Sequence, residues 1–246
     1  MRTHLLTTTA VMALLSASTV STRAQTSWNG GSSSDWFTAA NWNAGVPNLL
    51  TSANIDTATP NSTVISGANA TILNLAVGQS GTGKLVIQNG GTLLNLGCGF
   101  IGNSAGAQGT VTVSGAGSTW TNLSDLVVGN LGTGTLIIEN GGTVSSGPGG
   151  ASIGLSPGSN GTVTVGPGST WNNFGLIIGG FGTGSLSVAE GGVVNGPVAI
   201  AAFPGGTGVL HGSGTVGPTI VNAGGFLVPC QGCVPGQGGN ARRDDR

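Results

Sequence analysis

The side chains that could do chemistry in this chain are few, and their spacing decides what each could do. Glu139 and Glu190 lie 51 residues apart. Two carboxylates held about 6.5–9.5 Å apart can act as base and acid on a glycoside, and closer pairs as nucleophile and acid. Gly78-Gln79-Ser80-Gly81-Thr82-Gly83-Lys84 matches most of a phosphate-binding loop, but Leu85 stands where a Ser or Thr would have to hold magnesium. Gly102–Gly106, Gly150–Gly154 and Gly154–Gly158 each read Gly-x-Ser-x-Gly. A nucleophile elbow of that form needs a strand–turn–helix setting and a histidine, and His4 and His211 are the only histidines. Cys98, Cys230 and Cys233 are an odd set: Cys98 suits a small packed position, and the other two could close a loop or form half a metal site. Zinc would need about four ligands, and only His211 is near in sequence.

Composition narrows these options. Of 246 residues, six are Lys or Arg and seven are Asp or Glu, while 49 are Gly and 38% are hydrophobic. So few cations exclude nucleic acid as a partner, because phosphates would go unneutralised. The glycines show no three-residue period, which excludes collagen.

What must position these residues is a repeat. Gly78-Gln79-Ser80-Gly81-Thr82-Gly83-Lys84-Leu85-Val86-Ile87-Gln88-Asn89-Gly90-Gly91 returns at Gly129–Gly142 and again at Gly179–Gly192. Between these copies lie Gly109-Thr110-Val111-Thr112-Val113 with Gly117-Ser118-Thr119-Trp120, and Gly161-Thr162-Val163-Thr164-Val165 with Gly168-Ser169-Thr170-Trp171. A glycine opens each unit at 78, 102, 129, 154 and 179, and a degenerate sixth copy runs from Val198 to Leu210. Two strand patterns recur per unit: Leu-x-Val or Leu-x-Ile before the opening glycine, and a second after Gly-Thr-Gly. Period-two alternation puts Val111 and Val113 on one face and Thr112 on the other. A unit of about 25 residues with short strands and no helix cannot bury its own apolar face, so copies must stack. The expectation is an all-β parallel β-helix of about six repeats, with coils spaced about 4.8 Å. Glu139 and Glu190 would then lie two coils apart at roughly 9.6 Å, just beyond the inverting range, and read best as solvated turn carboxylates. Lys84 becomes an exposed repeat position and nucleotide binding is rejected. No catalytic, cofactor-binding or metal residue is assigned.

The ends differ from the middle. Arg2 and His4 precede an apolar run from Leu5 to Leu15, and Thr22-Arg23-Ala24 fits a signal cleavage site, so residues 1–24 read as a secretory signal. Its removal leaves four cations against seven acids, a net charge of −3. Residues 25–70 form a Trp-rich cap and the first coils, with Trp28, Trp36 and Trp42 plugging the open core or, in a second reading, offering sugars a stacking platform. Residues 71–228 are the β-helix and 229–246 a flexible Gly-rich tail. With Ile220, Val221, Phe226 and Leu227 at the last coil and no cap, the C-terminal end is expected to self-associate end to end.

The alternation of Gly-Thr-Val-Thr-Val-x-Gly-x-Gly-Ser-Thr-Trp with Leu-x-Val-Gly-x-x-Gly-Thr-Gly-x-Leu-x-Ile-x-Asn-Gly-Gly resembles the repeat shared by type V secretion autotransporter passengers and PEP-CTERM proteins of Gram-negative bacteria. The Trp28, Trp36 and Trp42 opening is similar to the start of many such passengers, and the resemblance covers about residues 26–228. It implies a right-handed parallel β-helix delivered to the outer-membrane surface or the medium, adhesion, and host-surface or glycan receptors. It supplies no catalytic residues. The chain departs from that family by lacking a terminal membrane β-barrel or a sorting helix, which suggests a truncated passenger or a protein secreted without its own anchor. The function expected is a non-enzymatic structural stalk or adhesin-like passenger. The alternatives are a polysaccharide lyase or glycoside hydrolase built on a β-helix, and a non-functional truncated remnant.

Overall fold

A computed structural model describes residues 24–229 and 241–243. The expected signal, Cys230 and Cys233 lie outside the described residues. Seven complete coils wind from Ser52–Ile55 to Thr215–Val216, and two strands of an eighth, Thr219–Val221 and Gly225–Pro229, follow. All strands pair in parallel, each with its counterpart one coil away, which makes the molecule a parallel β-solenoid. One coil comprises Leu126–Val128, Thr133–Glu139 and Thr143–Ser146, and these belong to three separate sheets of ten, eight and seven strands. They are called here the first, second and third sheets. Within the expected tail, Ala241–Arg243 add the tenth strand of the first sheet, beside Thr219–Val221.

The opening glycines stack as their spacing predicts. The amide of Gly102 donates to Val77 O, that of Gly129 to Ile101 O, and that of Gly154 to Val128 O, at 2.8–2.9 Å. Inward residues alternate as expected: Val111, Val113, Leu136 and Ile138 are fully buried, while Thr110, Thr112 and Ile137 lie on the outer surface of the second sheet.

Each coil has three strands, not the two that alternation reveals. The missed strand lies in the third sheet, and in the second to fifth coils its large apolar residue is followed two positions on by a polar one that also points inward. Asn95, Asn122 and Ser146 occupy successive rungs there, all nearly or wholly buried. Asn95 Nδ2 donates to Asn122 Oδ1 at 2.7 Å, so amides bond along the rod inside the core. A polar inward residue erases the period-two signal, which explains why these segments read as turns.

The two-unit superperiod has a steric origin. In the third sheet the inward ladder runs Leu93, Trp120, Val144, Trp171, Val194. In the first sheet it runs Leu75, Gly99, Leu126, Ala151, Leu176. Of these five coils, each with a Trp on one wall therefore carries Gly or Ala on another, and each with Val or Leu there carries Leu. Contact confirms the pairing, since a Cβ on Gly99 would lie 3.0 Å from Trp120 Cζ2. The same Trp coils supply a serine that caps the preceding turn: Gly90 N donates to Ser118 Oγ at 3.1 Å and Gly141 N to Ser169 Oγ at 3.2 Å.

The first coil, Ser52–Ile72, has no opening glycine; Asp56 stands in that register. Its carboxylate accepts hydrogen bonds from the amides of Ser80 and Gly81 at 3.0 and 3.1 Å, from Gln79 N, and from Ser80 Oγ at 3.0 Å. Partial burial pushes the Asp56 carboxyl up, but these donors outweigh it and hold it below the ordinary 3.8. A depressed folded-state pKa gives stability that is complete above the ordinary value and lost as pH falls through the lower folded one. Asp56→Ala should therefore cost roughly 1–2 kcal/mol at neutral pH, as expected for lost charge-assisted hydrogen bonds. The difference in melting temperature between the two proteins should close as pH is lowered below about 4. An unchanged gap at pH 2.5 would refute this role.

Candidate functional site

Trp28, Trp36 and Trp42 form a closed plug. Trp42 packs edge-on against both others, with ring centroids 5.1 and 4.8 Å apart. Trp36 is fully buried and the other two are 4% exposed. The indole of Trp28 donates to Asn61 O at 2.9 Å and that of Trp42 to Trp36 O at 2.8 Å. Rings buried on their faces cannot stack on sugars, so the platform reading of this cluster is set aside in favour of the plug.

The two glutamates do not share a register. Ile138 pairs with Val165 and Val165 with Val188, which ranks Glu139 with Ala189 and Glu190 with Asn140. Glu139 ends a strand of the second sheet, while Glu190 is exposed in the following turn. The expected two-coil alignment is thus off by one residue, because the register offset between these coils is 50 residues and the glutamates are 51 apart. Lys84 is exposed on a strand of the second sheet and no helix follows it, so no phosphate cradle forms.

Ser104 and Ser156 sit in turns and Ser152 in a first-sheet strand, none of them at an elbow before a helix. One serine–histidine contact exists that sequence reasoning did not single out. Ser185 Oγ lies 3.5 Å from His211 Nε2 on the outer face of the second sheet. Sequence spacing could have found it, since 185 and 211 lie one coil apart. Neighbouring amides on that face are committed to strand pairing, so no oxyanion hole is at hand. Cys98 is half-buried, with its sulfur 3.7 Å from Ser124 Oγ and 3.8 Å from Asp125 Oδ2. Among the described residues, no three His, Cys, Asp or Glu side chains gather as a metal site would require. No helix among them is long and apolar enough to cross a membrane.

The strongest candidate site is the outer face of the first sheet. Its floor runs through Ala76, Phe100, Val127, Ser152, Ile177 and Ala199, the middle residues of successive strands. Along one rim Asn103 Nδ2 donates to Gln79 Oε1 at 2.8 Å, and Asn130 Nδ2 to Asn103 Oδ1 at 2.9 Å. Two shallow recesses open on this face. One, of about 290 Å³, is bordered by Asn54, Asn74, Gln79 and Phe100; the other, of about 410 Å³, by Phe174, Ile177, Pro197 and Ile220. Amides beside an apolar floor suit a neutral partner held by packing and hydrogen bonds.

Comparison with protein-family models, curated proteins and solved structures yields no match to this chain.

Proposed function

We propose that this protein is a non-enzymatic rod, secreted or displayed at a cell surface, that acts as a structural stalk or adhesin-like passenger. The observation that supports the reading is the regularity of the surface. From coil to coil the opening position advances by 21–27 residues and the sheets are joined by short turns. Catalytic and ligand-gripping groups tend to sit on long loops placed by a rigid scaffold. Here the scaffold instead offers the same short rows of Thr, Ser and Asn again and again, a surface suited to repeated weak contacts. The resemblance of the repeats to autotransporter and PEP-CTERM passengers points the same way.

The test compares cells producing the full chain with cells producing none, scoring adhesion to abiotic and glycan-coated surfaces. The purified rod is assayed in parallel against a polysaccharide panel for new reducing ends or unsaturated products. Increased adhesion without product is the expected result, and sustained turnover of any polysaccharide would overturn the reading. The amide-bordered recess near Phe100 is the observation favouring a polysaccharide-active alternative, and the same panel decides it.

Export belongs to the same proposal. Sheet pairing starts at Gln25, whose strand Gln25–Ser27 lies beside Ser52–Ile55. Cleavage after Ala24 would keep those three residues and remove one contact, the bond from Ser52 N to Ala24 O at 2.8 Å. Intact-mass analysis of exported protein should give residues 25–246, and retention of Met1 would refute the signal.

A further inference from the structure

We propose that the outer face of the first sheet is a pairing surface on which two copies of this rod associate side by side. The three outer faces have different chemistry. The second mixes Thr110, Thr112, Thr162 and Thr164 with Val64, Val86 and Ile137, and the third Thr119 and Thr121 with Leu94. The first presents the most apolar row, with Phe100, Ile177 and Ile220 at outward positions and Val127 covered between its neighbours at 5% exposure. Its flanking turns add to this. Leu50, Leu123 and Phe174 are 70%, 51% and 68% exposed on the approach side, and Leu131 and Phe181 are 48% and 44% exposed on the exit side. Phe181 stacks on Phe203 at 4.7 Å, so the exit rim is itself an ordered aromatic edge. Soluble monomers rarely expose a continuous apolar patch beyond a few hundred Å².

A second copy fits this face best for two reasons. Eight strands from Ser52–Ile55 to Thr219–Val221, spaced about 4.8 Å, with rims extending the width to about 20 Å, project roughly 700–800 Å², close to the ~800 Å² per partner of a stable complex. The ridge spacing of an identical sheet matches by construction, as aligned sheet packing requires, and a two-fold pair places the same patch on both sides. Charge on it is sparse. Lys84 and Glu139 lie on the second sheet, and Asp56, on the exit rim, is occupied by its hydrogen bonds. Asp125 borders the approach rim just before Leu126, and Arg242 stands in register beside Ile220 at the last strand. This pairing holds whether or not the rod is displayed at a surface, and it differs from end-to-end association through the last coil.

The experiment is sedimentation velocity on the exported chain from 1 to 100 µM, with Ile177→Lys, Ile220→Lys, Ile137→Lys and Leu227→Lys variants. The expected result is a dimer whose dissociation constant rises at least 100-fold in Ile177→Lys and in Ile220→Lys. Ile220 is 54% exposed and its replacement leaves the core untouched. Ile137→Lys, on the outer face of the second sheet, and Leu227→Lys, at the rod end, should dimerise like the parent. Unchanged far-ultraviolet spectra establish that the variants fold. A chain monomeric at 100 µM overturns the proposal. So does a dimer abolished only by Leu227→Lys, which would place contact at the end. Flotation of a monomeric chain with neutral phosphatidylcholine vesicles would also overturn it, assigning the face to lipid.

Discussion

Gly109→Ala should abolish the folded rod, lowering stability by more than about 4 kcal/mol, a large share of the 5–15 kcal/mol of an ordinary domain. Gly109 is the second residue of the second-sheet strand Gln108–Ser114 and shares its register with Gly83, Gly134, Gly161, Gly184 and Gly208. An added Cβ there would collide with Val77 O and lie 2.6 Å from Gly102 N. Both obstacles are backbone, and both are pinned, since Gly102 N donates to Val77 O at 2.9 Å. Neither can retreat without breaking the link between coils. Gly175 provides the control: nothing lies within 4 Å of its added Cβ, so Gly175→Ala should change stability by no more than about 0.5 kcal/mol. Ala201 shows where the rule relaxes. It stands in the opening-glycine register with φ 53°, its amide donating to Ile178 O at 2.8 Å. Its methyl is tolerated because the coil beyond presents Gly224, whose own added Cβ would stand 3.6 Å from it. Chemical denaturation of Gly109→Ala and Gly175→Ala checks the contrast, and equal losses would refute the close-approach account.

The second large effect concerns the alternating core. Trp120→Val alone should cost about 3–5 kcal/mol by leaving a cavity in a fully buried layer. Gly99→Leu alone should be comparably damaging, because its side chain would meet both the Trp120 ring and Asn122 Oδ1. Combining Gly99→Leu, Trp120→Val and Asn122→Ser copies the adjacent coil, which has Leu126, Val144 and Ser146 at those positions. The triple variant should recover at least about 2 kcal/mol relative to the summed single losses, the mark of residues that share one space. Denaturant midpoints for the singles and the triple measure it. Additive losses would mean that the superperiod does not arise from volume exchange between walls. Trp120 and Trp171 also carry buried indole N–H groups without an acceptor, which makes their packing all the more dependent on fit.

The candidate face was less legible than the fold. Its floor residues, such as Phe100 and Ile177, sit between inward neighbours in three-residue strands. Segments so short and so uniformly apolar do not reveal which residue points out. The Leu-x-Val pattern marks the inward pair and carries no signal about the residue between them. The glutamate register failed for a related reason. The Asn-Gly-Gly and Glu-Gly-Gly turns align residue for residue at an offset of 50, so Glu190 takes the turn position of Asn140 and Ala189 that of Glu139.

The sequence by itself determined that copies of one unit stack, because a Gly-punctuated repeat of about 25 residues with two alternating strands has no other way to bury its apolar side. It also determined that the opening Trp residues differ in role from the two within the repeats, since only the latter recur with the superperiod. Tertiary structure alone decided the third strand, the exchange of Trp against Gly or Ala between walls, and the apolar outer face of the first sheet. Each depends on residues brought together from different strands or successive coils. Local alternation reports which side of one strand is buried, but says nothing of what stands across the core or what neighbouring coils present outward.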